Sequence, residues 1–151
     1  MSDNGLHKEA LSAAIKHIGI ATYSSGKITR YLLDKGFPES VVSAVVSELI
    51  EREYINDRKA SRKVLIARTG KKQESRDYIY KRLLGAGIDP VVAEEVVASL
   101  PSDNDTCLEL YNSLGYDEDS EETRDAMIDI AIRRGYNYET ASSAYAVWSE
   151  K

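Results

Sequence analysis

Apolar residues recur along this chain at intervals of three and four, and polar or glycine-containing stretches interrupt them at a steady spacing. Leu6, Ala10, Leu11, Ala14, Ile15 and Ile18 trace one face of a helix within positions 6–21. Tyr23-Ser24-Ser25-Gly26 interrupts that pattern, and Ser24 or Ser25 is suited to cap the next helix. The second helix carries Ile28, Tyr31, Leu32 and Lys35, with Gly36 where a left-handed terminal residue is wanted. Pro38 fits the first turn of a third helix bearing Val41, Val42, Val45, Val46, Leu49 and Ile50. Valine runs favour strands. These pairs, however, recur every four positions over a stretch longer than a typical strand, which predicts a helix.

The same order returns twice. Asn56 or Asp57 caps a helix through Ala60, Val64, Leu65 and Ala67; Thr69–Lys72 is a loop; Tyr78, Ile79, Leu83 and Ala86 lie on a helix ending at Gly87. Ile88-Asp89-Pro90 opens the next, with Val91, Val92, Val96, Val97 and Leu100. In the last third, a cap within Ser102–Asp105 precedes Cys107, Leu108, Leu110, Tyr111 and Leu114, and Gly115 ends that helix. An acidic run at 117–122 complements the positive end of a helix carrying Met127, Ile128, Ile130, Ala131 and Ile132. A final helix holds Ala141, Ala144, Tyr145 and Trp148.

Three glycines align these segments. Gly36 and Gly87 stand 51 residues apart, Gly87 and Gly135 48 apart, and thirteen residues after each come Leu49, Leu100 and Trp148. The pattern predicts an all-α chain of three tandem three-helix repeats, at 1–53, 54–101 and 102–151. One such unit buries too little surface to be very stable alone. Stacking would extend the core into an elongated, curved helical body.

Charge sharpens the picture. The net charge of −5 conceals a basic middle: residues 52–86 hold eleven bases against four acids, whereas residues 87–151 hold four against fifteen. The bases singled out as interaction candidates are Arg58, Arg62, Lys63, Arg68, Lys71, Lys72, Arg76, Lys81 and Arg82. Arg58 and Arg62, four apart, share a helix face away from Ala60, Val64 and Ala67. Lys71 and Lys72 fall in the loop and Arg76 one turn into the following helix. Such a set suits phosphate or an acidic protein groove. Tyr145 and Trp148 are expected in the core, and of Tyr78 and Tyr80 one is expected to pack and the other to be exposed.

Other chemistries find no pattern. His7 and His17 lack partners at metal-ligand spacing, Cys107 sits among apolar helix positions, and Thr69-Gly70-Lys71-Lys72 lacks the spacing of a phosphate loop. No enzyme, metal or cofactor is expected. A single cysteine allows no internal disulfide and fits a reducing interior. No apolar run approaches the roughly 20 residues that span a bilayer. The N-terminal stretch Met1–Glu9 has no basic segment followed by a long apolar core, so neither membrane nor secretion is expected.

The ordered set Leu33-Asp-Lys-Gly36, Tyr54-Ile-Asn-Asp57 with Ala60, Arg68-Thr-Gly70, Ile79-Tyr-Lys-Arg-Leu-Leu84 and Gly87-Ile88 resembles the RecX family of bacterial recombinase regulators. The resemblance covers nearly the whole chain, the third repeat in pattern only. It departs from the family where residues 22–29 keep serine but lack Arg and Glu, where Lys59 replaces a usual Phe, and in the acidity of the third repeat. The resemblance implies a cytoplasmic, monomeric regulator that binds the RecA nucleoprotein filament, with single-stranded DNA a weak secondary partner. It further implies inhibition of recombination, ATP hydrolysis and coprotease activity, and so modulation of DNA repair and the SOS response. The implied mechanism is an elongated body lying in the filament groove. Two other readings fit the same residues: a helix-turn-helix-like protein that binds DNA directly, and a helical-repeat scaffold for another protein.

Overall fold

A computed structural model describes residues 3–19 and 23–150. Positions 20–21, expected to end the first helix, and Thr22, which opens the departing segment, lie outside the described residues. So do Met1, Ser2 and Lys151. Among the described residues the fold is all-α. The helices are α1 (Asp3–Ile18), α2 (Ser25–Asp34), α3 (Glu39–Glu51), α4 (Asp57–Leu65), α5 (Arg76–Gly85), α6 (Pro90–Ala98), α7 (Asp103–Ser113), α8 (Glu121–Arg133) and α9 (Tyr138–Ser149). A 3-10 turn, Gly70–Lys72, precedes α5.

The chain divides into two compact units: Met1–Lys63 with Leu83–Ala93, and Val64–Arg82 with Glu94–Lys151. In the first unit, α1, α2 and α3 pack on one another. Their apolar stripes close over a core of Ala10, Ala14, Ile18, Ile28, Leu32, Val42, Val45, Leu49 and Ile55. The valine pairs of α3 are buried at helical spacing, as periodicity requires. His17 stacks on Tyr31 with ring centroids 3.7 Å apart.

In the second unit, α9 packs on α7 and α8. Cys107, Leu110, Tyr111, Met127, Ala131, Tyr136, Ala141, Ala144, Tyr145 and Trp148 form its core. Three phenols tie it together, because a buried hydroxyl needs a partner. Tyr111 donates to the carbonyl of Ala141 (2.9 Å), the Tyr136 hydroxyl bonds the Thr106 hydroxyl (2.7 Å), and Tyr145 donates to an Asp119 carboxylate oxygen (2.5 Å). Burial pushes the ionisation of Tyr111 and Tyr136 up, and that of the Cys107 thiol up to about 11.

The helix ends follow their chemistry, with shifts from expectation at the start of α3 and the end of α4. Ser24, Ser102, Ser120 and Asn137 each cap a helix by accepting from a backbone N–H three residues on. Pro38 occupies the cap of α3 rather than its first turn, its extended backbone feeding the helix without a side-chain bond. α4 ends at Leu65, short of Ala67. The cap of α4 is Asn56, whose side-chain oxygen accepts from the Lys59 N–H at 3.1 Å. Asp57 does something else.

Gly36, Gly87 and Gly135 have φ of +93°, +85° and +94°, so the three aligned glycines share one left-handed conformation. At Gly87 this goes with a close approach: the Gly26 N–H donates to the Gly87 carbonyl at 2.8 Å. A Cβ on Gly26 would stand 2.6 Å from that oxygen, so neither backbone can carry a side chain there.

Candidate interaction surface

In the first unit the exposed side of α4 presents Arg58, Lys59, Arg62 and Lys63, while Ala60 and Ser61 turn inward. This is the alternation that a four-residue spacing of bases dictates on a helix. No carboxylate among the described residues pairs with Lys59, Arg62 or Lys63.

Beneath this row lies a junction that the sequence reading did not foresee. Asp57 is only 8% exposed, and its carboxylate accepts three hydrogen bonds. The Ser25 N–H reaches one oxygen at 2.7 Å; the Ser25 hydroxyl and the Asp89 N–H reach the other at 2.6 and 2.8 Å. Ser25 is the first residue of α2, Asp57 the first of α4, and Asp89 immediately precedes α6. One negative charge therefore stands at the positive ends of three helices and satisfies N–H groups that no helix could. Asp89 in turn accepts from the N–H groups of Val91 and Val92, capping α6. The Ser24 hydroxyl donates to the Ala86 carbonyl at 2.7 Å, fastening α2 to the end of α5. A cleft of about 890 Å³ opens beside this junction, with Lys27, Arg30 and Arg58 among its lining residues.

In the second unit the predicted bases fall into two kinds. Lys71 and Lys72 are exposed on the 3-10 turn, which is held by the Gly70 N–H donating to Glu109 at 2.6 Å. The other four have internal partners. Glu74 is 4% exposed and takes both its oxygens to Arg82, at 2.5 and 2.8 Å, with Arg68 at 3.6 Å on its flank. A buried carboxylate needs this kind of bidentate compensation, and the same hydrogen bonds hold the Arg82 guanidinium more firmly protonated. Arg76 directs its guanidinium to the carbonyls of Leu100 and Pro101, and its N–H donates to Asp103 at 2.9 Å. Lys81 pairs with Asp77 one turn away, at 3.1 Å on the surface.

Of the nine predicted bases, Arg58, Arg62, Lys63, Lys71 and Lys72 thus face outward. Lys81 is exposed but paired. Arg82 is half exposed and bound to Glu74, and Arg68 and Arg76 serve the interior. Two further cations, Arg133 and Arg134, share a recess with Lys81 and Arg82. The sequence offers one signal for them: adjacent arginines in an otherwise acidic third of the chain. Tyr78 is exposed and Tyr80 half-buried; the Tyr78 ring lies against Gly135, with the Lys81 ammonium 5.6 Å from its centre. No group of His, Cys, Asp and Glu suited to a metal ion is present among the described residues. Within the same residues, no helix is long and apolar enough to cross a membrane.

These features define an all-helical protein that presents cations on a short helix, on a 3-10 turn and in a recess. No protein-family profile matches the chain, and no curated protein sequence does. Its fold is that of a solved protein: the crystal structure of RecX from Lactobacillus salivarius superposes with a TM-score of 0.75, covering 98% of this chain and 99% of that one at 17% identity.

Proposed function

We propose that this chain is a regulator of the RecA recombinase, binding the RecA–single-stranded DNA filament and lowering its recombination, ATPase and coprotease activities. Through that inhibition it modulates DNA repair and the SOS response. The observation that carries this reading is the correspondence with the RecX fold over essentially the full length of both chains. The ordered motifs through Tyr54–Asp57 and Gly87-Ile88 support it independently. Asp57, the last residue of the first of these motifs, supplies the carboxylate at which α2, α4 and α6 begin. In this reading the protein acts by binding rather than catalysis, as a monomer in the cytoplasm, and is built of repeats at 1–53, 54–101 and 102–151. Single-stranded DNA is a weak secondary contact.

The surfaces that would carry the contact are the outward bases of α4 and, separately, Lys71 and Lys72 of the 3-10 turn. Arg68 and Arg76 are set apart from these surfaces in this reading, because their guanidinium groups find partners within the fold. The test is RecA-driven ATP hydrolysis on single-stranded DNA, titrated with this protein. Inhibition below one protein per RecA is expected; no effect at saturating protein removes the proposal.

The exposed row on α4 also favours a second reading, direct binding of duplex DNA through that helix. It predicts affinity that depends on sequence and falls steeply with salt. Equal, weak binding to every duplex excludes it.

A further inference from the structure

Lys81, Arg82, Arg133 and Arg134 line a recess of about 510 Å³ in the second unit, with Glu74 and Tyr78 completing its wall. Three of the four cations already have a carboxylate. Glu74 holds Arg82 in a two-oxygen clasp, Asp77 pairs with Lys81, and Asp129 pairs with Arg133. Arg134 differs: it is half-buried, and no acid among the described residues pairs with it. A guanidinium left inside a recess without a carboxylate is a vacant half of a pair, because its planar fork of donors matches two carboxylate oxygens.

We infer that this recess is a docking site for a carboxylate side chain on an acidic loop of a protein partner, received by Arg134 with Arg133 and Lys81 at the rim. Two observations favour a carboxylate over a nucleic-acid backbone. The unit around the recess carries ten bases and sixteen acids, so an extended polyanion is repelled beyond the local contact. A single acidic residue, acting within a few ångströms, meets much less of that repulsion. The recess also already holds one carboxylate from within, in the bidentate geometry that a second would adopt. The pairs at Lys81 and Arg133 are exposed i,i+4 contacts worth little in themselves, so both cations can turn toward an arriving acid. The Tyr78 ring, set against Gly135 beneath Lys81, adds an apolar wall for the methylenes of a glutamate.

The assignment is independent of the RecA reading, and its test uses this protein alone. Arginine Nε–Hε resonances of the labelled full chain are followed while a peptide with a single glutamate, acetyl-Gly-Glu-Gly-amide, is added, and in parallel while a thymidine hexanucleotide is added. The expected result is a saturable shift at Arg134 with the peptide and a weaker response to the oligonucleotide. Arg134→Gln should reduce peptide affinity by about tenfold without altering the fold, and Arg134→Lys, which keeps the charge but not the fork, should restore it only in part. No shift at Arg134, a peptide affinity unaffected by R134Q, or a stronger response to the oligonucleotide overturns the proposal; the last result would make the recess a phosphate site.

Discussion

The Asp57 carboxylate and Ser25 are joined twice: one oxygen takes the serine N–H at 2.7 Å and the other takes its hydroxyl at 2.6 Å. The two residues are 32 positions apart in sequence and belong to different helices. Through Asp89 the same carboxylate reaches a third. It does for α2 what a capping side chain usually does for its own helix, which is why a local reading placed it at the start of α4 instead.

Replacing Asp57 with Asn puts an amide where up to three donors converge, and only one side-chain oxygen remains to meet them. Loss of charge-assisted bonds to buried donors predicts destabilisation by about 2–3 kcal/mol. Ser25→Ala, which removes one hydroxyl, should cost about 1 kcal/mol. In the Asp57→Asn background the serine change should cost less than it does alone, because both act on one network. Urea unfolding of the two single variants and the double variant measures this; strict additivity would contradict the shared junction.

Glu53 has φ of +64°, the only positive value at a non-glycine residue among those described. It follows α3, where its N–H donates to the Ile50 carbonyl at 3.0 Å. A side chain in this conformation costs roughly 1–2 kcal/mol, partly offset by the greater unfolded freedom of glycine. Glu53→Gly should therefore raise stability by about 0.5–1 kcal/mol, seen as a higher urea midpoint at unchanged slope. Gly87→Ala should do the opposite. It combines the same backbone strain with a Cβ pressed against the Ser24 hydroxyl and the Lys27 nitrogen, and about 2–4 kcal/mol should be lost.

Cys107 is fully buried, and desolvation pushes its thiol up to about 11. The folded protein therefore holds that proton more tightly than the unfolded chain, whose thiol ionises near the ordinary value of about 8.5. The stabilisation is complete below that unfolded value and is lost as pH rises toward the folded one. Native protein at pH 8 should react with a thiol reagent roughly a hundredfold more slowly than the urea-unfolded chain. Equal rates would place the thiol outside the core.

Lys71 and Lys72 separate from Arg76 in kind. Lys71→Gln with Lys72→Gln should leave unfolding free energy within about 0.5 kcal/mol of the parent, while weakening filament binding and flattening its salt dependence. Arg76→Gln should lower stability instead, since its guanidinium holds the carbonyls of Leu100 and Pro101. Its loss leaves both without that partner. Circular dichroism and binding at two salt concentrations, read together, distinguish the two.

Much of this was legible in the sequence, and the limits are physical. Periodicity found the helices because each buries one face: the Val41–Val46 pairs, and Tyr145 with Trp148, are buried as their spacing requires. The serine, asparagine and glycine punctuation found the ends because capping is local. What escaped depended on distant partners. Asp57 looked like a cap until Ser25 and Asp89 met it, and Arg68 and Arg82 looked like surface charge until Glu74, buried between them, engaged both. Arg76 fits a helix surface by spacing alone, yet its partners lie 24 and 25 residues on. Tyr136, one of several aromatic residues near the C-terminus, is buried because Thr106 supplies its hydroxyl with a partner.

The central claim is that this helical fold acts on RecA. Its most direct test is ATP hydrolysis by RecA on single-stranded DNA, measured as this protein is added, at low and at moderate salt. The account predicts a falling rate below one protein per RecA, with the effect weakened by salt and by Lys71→Gln with Lys72→Gln. An unchanged rate at saturating, folded protein under both conditions would contradict it.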